Sequence, residues 1–305
     1  MNTEKFDSIQ NALDFAIRDS KDLKGKAGYK IGVKTYYNYM KKEAFEKEIN
    51  ELPKEIKEQF DDAPGGELKE KPGRWGIYPP KMACFGSSSR FICNELMGVE
   101  NVSFEAALPT YVGHPANLDA HKIFKTKSVE VFAEAKCREI YGSHRKVDVN
   151  KVYLKIYDKL KKLFTYTAEP SKEGYVKCTF EVGDSEIVHF DLKQLICHFL
   201  GIAAGVIEGR ITAEKIRFVY VIFNPNLKDV EEKIVPKYRD KILQQYKETL
   251  AEIKLFDMKK LFAAIFEIQK ENPAIKRNIN EEFIVESCFE FVLADQSGCA
   301  DLFKE

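Results

Sequence analysis

Several things are missing from this chain. None of its seven cysteines, at 84, 93, 137, 178, 197, 288 and 299, forms a CxxC pair. A zinc site of the usual ligand spacing is therefore not expected. No run of about 18 apolar residues occurs, so no membrane-spanning helix is expected either. The first residues, MNTEKFDSIQNALDF, lack the basic start and the apolar stretch of a signal peptide. Free thiols in a reducing cytoplasm are the resulting expectation. Neither charge sign is in excess, with 48 Lys and Arg against 48 Asp and Glu. That excludes a globally basic nucleic-acid coat, and any such contact must come from a local patch. No internal repeat is visible.

What remains is the composition of a folded protein. The 305 residues are 44% hydrophobic and 31% charged, which is enough to bury a core without staples and argues against disorder or a rod. Helical spacing of apolar residues predicts an amphipathic helix over 1–24 and a charged helix over 41–62, broken at Pro53. A Gly- and Pro-rich stretch follows, DDAPGGELKEKPGRWGIYPPK. Ser87 and Ser88 can cap a helix that Gly98 ends. Strands are expected over 101–108, 117–124 and 129–137. Residues 148–165 read as a Lys-rich helix, 175–190 as a hairpin turning at Gly183-Asp184, and 191–207 as an apolar helix capped by Asp191. A buried strand is expected over 216–223, and helices over 228–270 and 280–294.

The chemistry gathers in PANLDAHKIFKTKSVEVFAEAKC. If strands 117–124 and 129–137 form a hairpin around the four residues 125–128, Asp119 stands directly opposite Glu134. Alternation puts Lys136 on the face of Glu134 and turns Val131, Ala133 and Ala135 into a core. Two opposed carboxylates repel and need an offsetting charge. A divalent cation would supply it, and Lys136 adds positive charge at the same spot. Metal plus lysine suits phosphodiester hydrolysis, by activating a water and stabilising charge on the phosphoryl oxygens. The plainer reading is a structural Asp119–Lys136–Glu134 ion-pair network, because a D…ExK pattern is short and recurs by chance.

The order helix, strand, Asp strand, Glu-x-Lys strand, helix, strand resembles the core of the PD-(D/E)XK nuclease superfamily. More narrowly, GGEL at 65–68, GSSSRFICNELMG at 86–98, FEAALPT at 104–110, PANLDAHKIF at 115–124, FAEAKCREIYG at 132–142 and DLKQLICHFLGI at 191–202 are similar to a bacterial group of restriction-endonuclease-like proteins. The resemblance runs from about Gly65 to Pro225. It implies an α+β protein with an α/β/α restriction-endonuclease-like core and a central mixed sheet. That core would cover 65–225 with a helical insertion near 143–165, between an N-terminal helical extension, 1–64, and a C-terminal helical region, 226–305. It implies a metal-dependent endodeoxyribonuclease using Mg²⁺, with Mn²⁺ as a substitute. Asp119 and Glu134 would be the metal ligands, assisted by the Ala135 carbonyl, with Lys136 as the catalytic lysine. An upstream Glu often completes such sites; Glu67, Glu95 and Glu105 are candidates, and Glu67 in the GGEL loop matches the motif best. Glu105 could instead pair with Lys136.

Two departures stand out. Asn117-Leu118, not proline, precedes Asp119, and the Gln-x-x-x-Tyr motif of related nucleases is Gln194-x-x-x-His198 here. Gln194 and His198 share a helical face and could orient water or phosphate, or satisfy buried polar groups. Residues 145–162 carry Arg145, Lys146, Lys151, Lys155, Lys159, Lys161 and Lys162 against Asp148 and Asp158. With Tyr153, Tyr157 and Phe164 interleaved, this segment is the expected DNA contact, and a solvated helix face is its ordinary alternative. His121, His144 and Lys122 fall near the expected site without adding weight, and His114 and His189 read as ordinary loop or strand residues. A homodimer and a separate methyltransferase partner are compatible with the resemblance. The alternatives to a nuclease are a non-cleaving nucleic-acid-binding protein of similar fold and a structural protein with no nucleic-acid role.

Overall fold

A 3-10 turn, Lys125–Lys127, followed by left-handed Ser128 at φ 49°, reverses the chain between two strands. In the computed structural model these are β6 (Ala116–Phe124) and β7 (Val129–Lys136), and they pair in the expected register, from Phe124↔Val129 to Ala120↔Ala133. The structure describes residues 24–31, 34–63, 66–73, 76–137, 139–142, 145–224, 236–278 and 283–304. All but the last residue of the helix expected over 1–24 therefore lie outside the described residues, as do His144 and the first residues, 228–235, of the helical stretch expected over 228–270.

The hairpin sits inside a five-stranded mixed sheet. Its order is β13 (Phe289–Asp295), β12 (Lys215–Ile222), β7, β6, β5 (Val102–Leu108). β12 runs parallel to β7 and β13, whereas β5, β6 and β7 are mutually antiparallel. β7 is central, and every residue from Glu130 to Lys136 is buried. The molecule is thus a mixed α+β protein.

Helix α3 (Ser88–Leu96) packs against β5, β6 and β7. It starts where Ser87 Oγ accepts the Arg90 N–H, and left-handed Gly98 follows its end. Helix α5 (Leu192–Ile207) starts at Asp191, whose carboxylate accepts the Gln194 N–H at 3.0 Å. It lies so close to the sheet that a Cβ on Gly201 would come within 2.7 Å of Ala116 Cβ. Phe199 of α5 packs edge-on against Phe218 and Phe289, and Phe262 of α7 (Met258–Lys270) stacks on Phe289. In the N-terminal part, α1 (Lys42–Glu51) and α2 (Lys54–Asp62) are separated at Pro53, which has no N–H to continue a helix.

Several expectations change. Residues 148–165 are not one helix. They form β8 (Val147–Asn150), a 3-10 turn, the short α4 (Leu154–Leu160) and the start of β9 (Thr165–Pro170). The reason is tertiary: β8 and β9 both pair with β10 (Tyr175–Val182), which turns back through β11 (Ser185–Ile187). Of the helix expected over 280–294, residues 280–282 lie outside the described residues and only the single turn Val285–Cys288 is helical, because β13 completes the large sheet beside β12, with Phe289 buried under α5 and α7. The C-terminal region therefore contributes a strand as well as α6 (Pro236–Lys254) and α7. Two small hairpins were not anticipated, β1 (Ala27–Ile31) with β2 (Lys34–Met40) and β3 (Lys71–Gly73) with β4 (Gly76–Tyr78).

Candidate functional site

The β6–β7 ladder stops at Ala120↔Ala133. The next step of that register sets Asp119 against Glu134. Here the strands part, and the Ala135 N–H is taken by Asp119 Oδ2 at 2.7 Å rather than by a strand carbonyl. On the other side of β6 the β5 ladder is interrupted between Phe104↔Ala120 and Ala106↔Leu118, so Glu105 stands across from Asp119. Glu105 has φ 54°, a left-handed conformation uncommon outside glycine that costs about 1–2 kcal/mol. Three neighbouring strands thus present an acid at the same step.

Lys136 Nζ donates to Glu134 Oε1 at 2.6 Å and to Gln194 Oε1. Gln194 Nε2 donates to the same Glu134 oxygen at 2.8 Å. One helical turn on, His198 Nε2 lies 2.9 Å from Glu134 Oε2. The Asp191 cap starts α5 where these two side chains meet Glu134. Glu134, Lys136 and His198 are all buried. Burial alone would raise the Glu134 carboxyl, but Lys136 and His198 overcome it and hold the group down, at about 2. Burial would lower the Lys136 ammonium, yet Glu134 beside it keeps it well above the ordinary lysine value. Asp119 is pushed well above the usual carboxylate range by burial, then by the charges of Glu134 and Glu105.

Glu67 joins from the loop after α2. Its buried carboxylate accepts from Lys81 Nζ at 2.7 Å and from Ser89 Oγ at 3.1 Å. The Ser89 hydroxyl also faces Glu105, and Glu105 is raised to about 7, chiefly by burial, with the charge of Glu67 adding to it. Glu105 therefore belongs to the Glu67–Ser89 corner, and the hydrogen bonds of Lys136 go to Glu134 and Gln194 rather than to Glu105. Glu95, on α3, lies near Cys299. His121 bonds Glu130 at 2.7 Å and stacks on Phe132, and Lys122 donates to the Phe303 carbonyl at 2.8 Å. His189 is tied to the Gly142 carbonyl and to Glu248, and the His114 carbonyl accepts from Thr110.

Sequence reasoning missed three contributors. Tyr220 of β12 is paired in register with Glu134, and its buried hydroxyl has no hydrogen-bond partner among the described residues. Only the parallel β12–β7 register reveals it, and no local turn encodes that register. Glu252 of α6 accepts the N–H groups of Val188, His189 and Phe190 at 2.8–3.0 Å, pinning the turn that feeds α5. Ser89 was read only as part of a helix.

Whether this corner suits a cation can be judged from its atoms. Its donors are hard oxygens, the kind that bind Mg²⁺. Glu105 Oε1 is buried without a hydrogen-bond partner, and Asp119 and Glu105 are both raised, as carboxylates short of positive charge should be. Among the described residues, no three His, Cys, Asp or Glu side chains are grouped as a ready metal cage. Mg²⁺ does not require one, since it is usually held by one or two carboxylates and keeps several waters. The residues fit such a cation in kind.

The basic segment differs from its expectation. Arg145 is paired with Glu186, Lys146 with Glu169 and Lys159 with Glu271. Tyr153, Tyr157 and Phe164 are core residues. Lys151, Lys155, Lys161 and Lys162 remain exposed. Among the described residues, no helix is long and apolar enough to cross a membrane.

No protein-family model, no curated protein and no solved structure matches this chain.

Proposed function

We propose that this protein is a Mg²⁺-dependent endodeoxyribonuclease of the restriction-endonuclease-like class, with a PD-(D/E)XK-type core across residues 65–225. One observation carries the reading: Asp119, Glu134 and Lys136 meet where the β6–β7 ladder opens. Asp119, Glu134 and the Ala135 carbonyl would hold the cation. Bound there, it would supply Lewis acidity and a water of lowered pKa. Lys136 stays protonated beside Glu134 and presents its ammonium to the phosphoryl oxygens, where negative charge develops. Gln194 bonds both Lys136 and Glu134 and holds the two at a fixed separation. Glu67, buried against Lys81 and Ser89, keeps the upstream corner acidic.

The second reading, a protein that binds nucleic acid without cutting it, has its own observation. Glu134 Oε1 is already engaged by Lys136 and Gln194, so the charge of that carboxylate is matched by a lysine without a metal, although Oε2, 2.9 Å from His198 Nε2, has no well-formed hydrogen bond.

Plasmid nicking separates the two. With Mg²⁺ or Mn²⁺ the wild type should cut and EDTA should stop it, and Asp119→Ala and Lys136→Ala should each lose about 10²–10⁴-fold. Millimolar Mg²⁺ should also raise the melting temperature of the wild type but not of Asp119→Ala, because a ligand of the folded state stabilises it. Protein that shifts DNA on a gel and never cuts it with either metal is the binding module. A melting temperature indifferent to both metals would remove the cation from this corner.

A further inference from the structure

We propose that the paired strands β1 and β2 with their described flanks, residues 24–31 and 34–42, are a contact surface for the backbone of a nucleic-acid strand. The inference rests on the nucleic-acid reading of the acidic site and names where the partner is gripped. Residues 24–42 hold six lysines, at 24, 26, 30, 34, 41 and 42, and no Asp or Glu, together with Tyr29, Tyr36, Tyr37 and Tyr39.

Folding leaves much of that charge in solvent. Lys26 and Lys30 are exposed with no acidic partner among the described residues. Lys41 Nζ donates to the Gly25 carbonyl at 2.9 Å, which leaves its charge uncancelled. Among the described lysine side chains of this stretch, Lys42 alone is paired with acids, Glu70 at 3.0 Å and Glu46 more loosely. Tyr37 is 61% exposed. Its ring lies over Gly28, at φ 115°, where the β1–β2 register shifts. An exposed ring among uncancelled lysines is the pairing that single-strand binders use, with stacking on the ring and phosphates on the cations.

The surface is concave and is tied to the site. A cleft of about 590 Å³ opens between β1, the start of α1 and the β3–β4 hairpin, with Lys30, Lys41 and Lys42 on its wall and Ile77 58% exposed. Its acids are Glu43 and Glu70, and Glu70 is already held by Lys42 and Tyr29. β2 is joined to the chain that follows by a Tyr39–Cys84 bridge and by the Phe85 N–H on the Asn38 carbonyl at 3.1 Å. The same stretch of chain carries Lys81 and Ser89, the partners of Glu67. A strand lying on the hairpin would therefore be held by the segment that builds one wall of the acidic corner.

The test is binding of a fluorescent duplex and of a single-stranded oligonucleotide in EDTA, so that no cleavage is needed, across a salt series. Lys26→Glu/Lys30→Glu/Lys41→Glu should lower affinity at least tenfold and flatten the log K against log salt slope by about 2–3. Lys155→Glu/Lys161→Glu/Lys162→Glu should lose less than about threefold. Tyr37→Ala should weaken the single-stranded oligonucleotide by about tenfold and the duplex less. All three variants change exposed side chains, and their melting temperatures check that they fold. An unchanged slope in the hairpin variant, or an equal loss in the 155/161/162 variant, overturns the proposal and leaves the nucleic-acid reading standing. Wild type that binds neither oligonucleotide at low salt overturns both.

Discussion

Two stretches of this chain are rich in lysine and tyrosine, and folding treats them oppositely. In 145–162, three of seven cations are matched by Glu186, Glu169 and Glu271, and the aromatic residues are buried in the core. In 24–42, three lysines keep their charge in solvent and Tyr37 stands outside. Local charge density does not separate the two. What separates them is where the acids of distant segments end up, and whether the rings fall on the buried face. A charge run is therefore a weak indicator of a binding surface until the partners of each cation are known.

The contrast can be broken at several points. The largest effect is on stability. Tyr157 is fully buried against Phe164, Tyr166 and Phe180, so Tyr157→Ala should cost about 3–5 kcal/mol in denaturant unfolding. Tyr37→Ala should stay within about 0.5 kcal/mol. Equal costs would mean that the two sets of rings do the same job. The intermediate effect is on DNA binding. Glu169→Gln/Glu186→Gln releases Lys146 and Arg145, and the salt slope should steepen by about 1–2. An unmoved slope would show that these two ion pairs do not keep Arg145 and Lys146 from a DNA backbone. The smallest effect concerns the Lys159–Glu271 pair, whose side chains are 49% and 72% exposed. Lys159→Ala should leave the melting temperature unchanged at physiological salt, as for most exposed ion pairs, and a clear drop would make that pair a structural tether.

Some of the fold and most of the candidate site could be read from local pattern. Four residues join β6 to β7, so hairpin chemistry alone set Asp119 against Glu134. Ser87 and Asp191 announced the starts of α3 and α5, and the spacing of Gln194 and His198 put them on one helical face, which the fold turns toward Glu134. β13 was misread as a helix because a parallel strand has no adjoining turn to mark it, and its partner β12 lies far back in the chain. Residues 148–165 were misread because their lysines suited a helix, whereas pairing with β10 decided the outcome. Tyr220 and Glu252 were invisible for the same reason, since each acts across elements that meet only in the folded molecule.

Sequence by itself determined the elements whose cause is close at hand: caps, the proline break between α1 and α2, and the register of the one hairpin that sets acid against acid. Those interactions span a few residues, where backbone geometry leaves little choice. The tertiary structure alone decided which charges stay free and which acids feel one another. Lys159 meets Glu271 across 112 residues of chain, and Glu67 reaches Ser89 across 22. Electrostatic energy depends on distance and burial rather than on position along the chain, so the sign and strength of a surface are known only after the chain has folded.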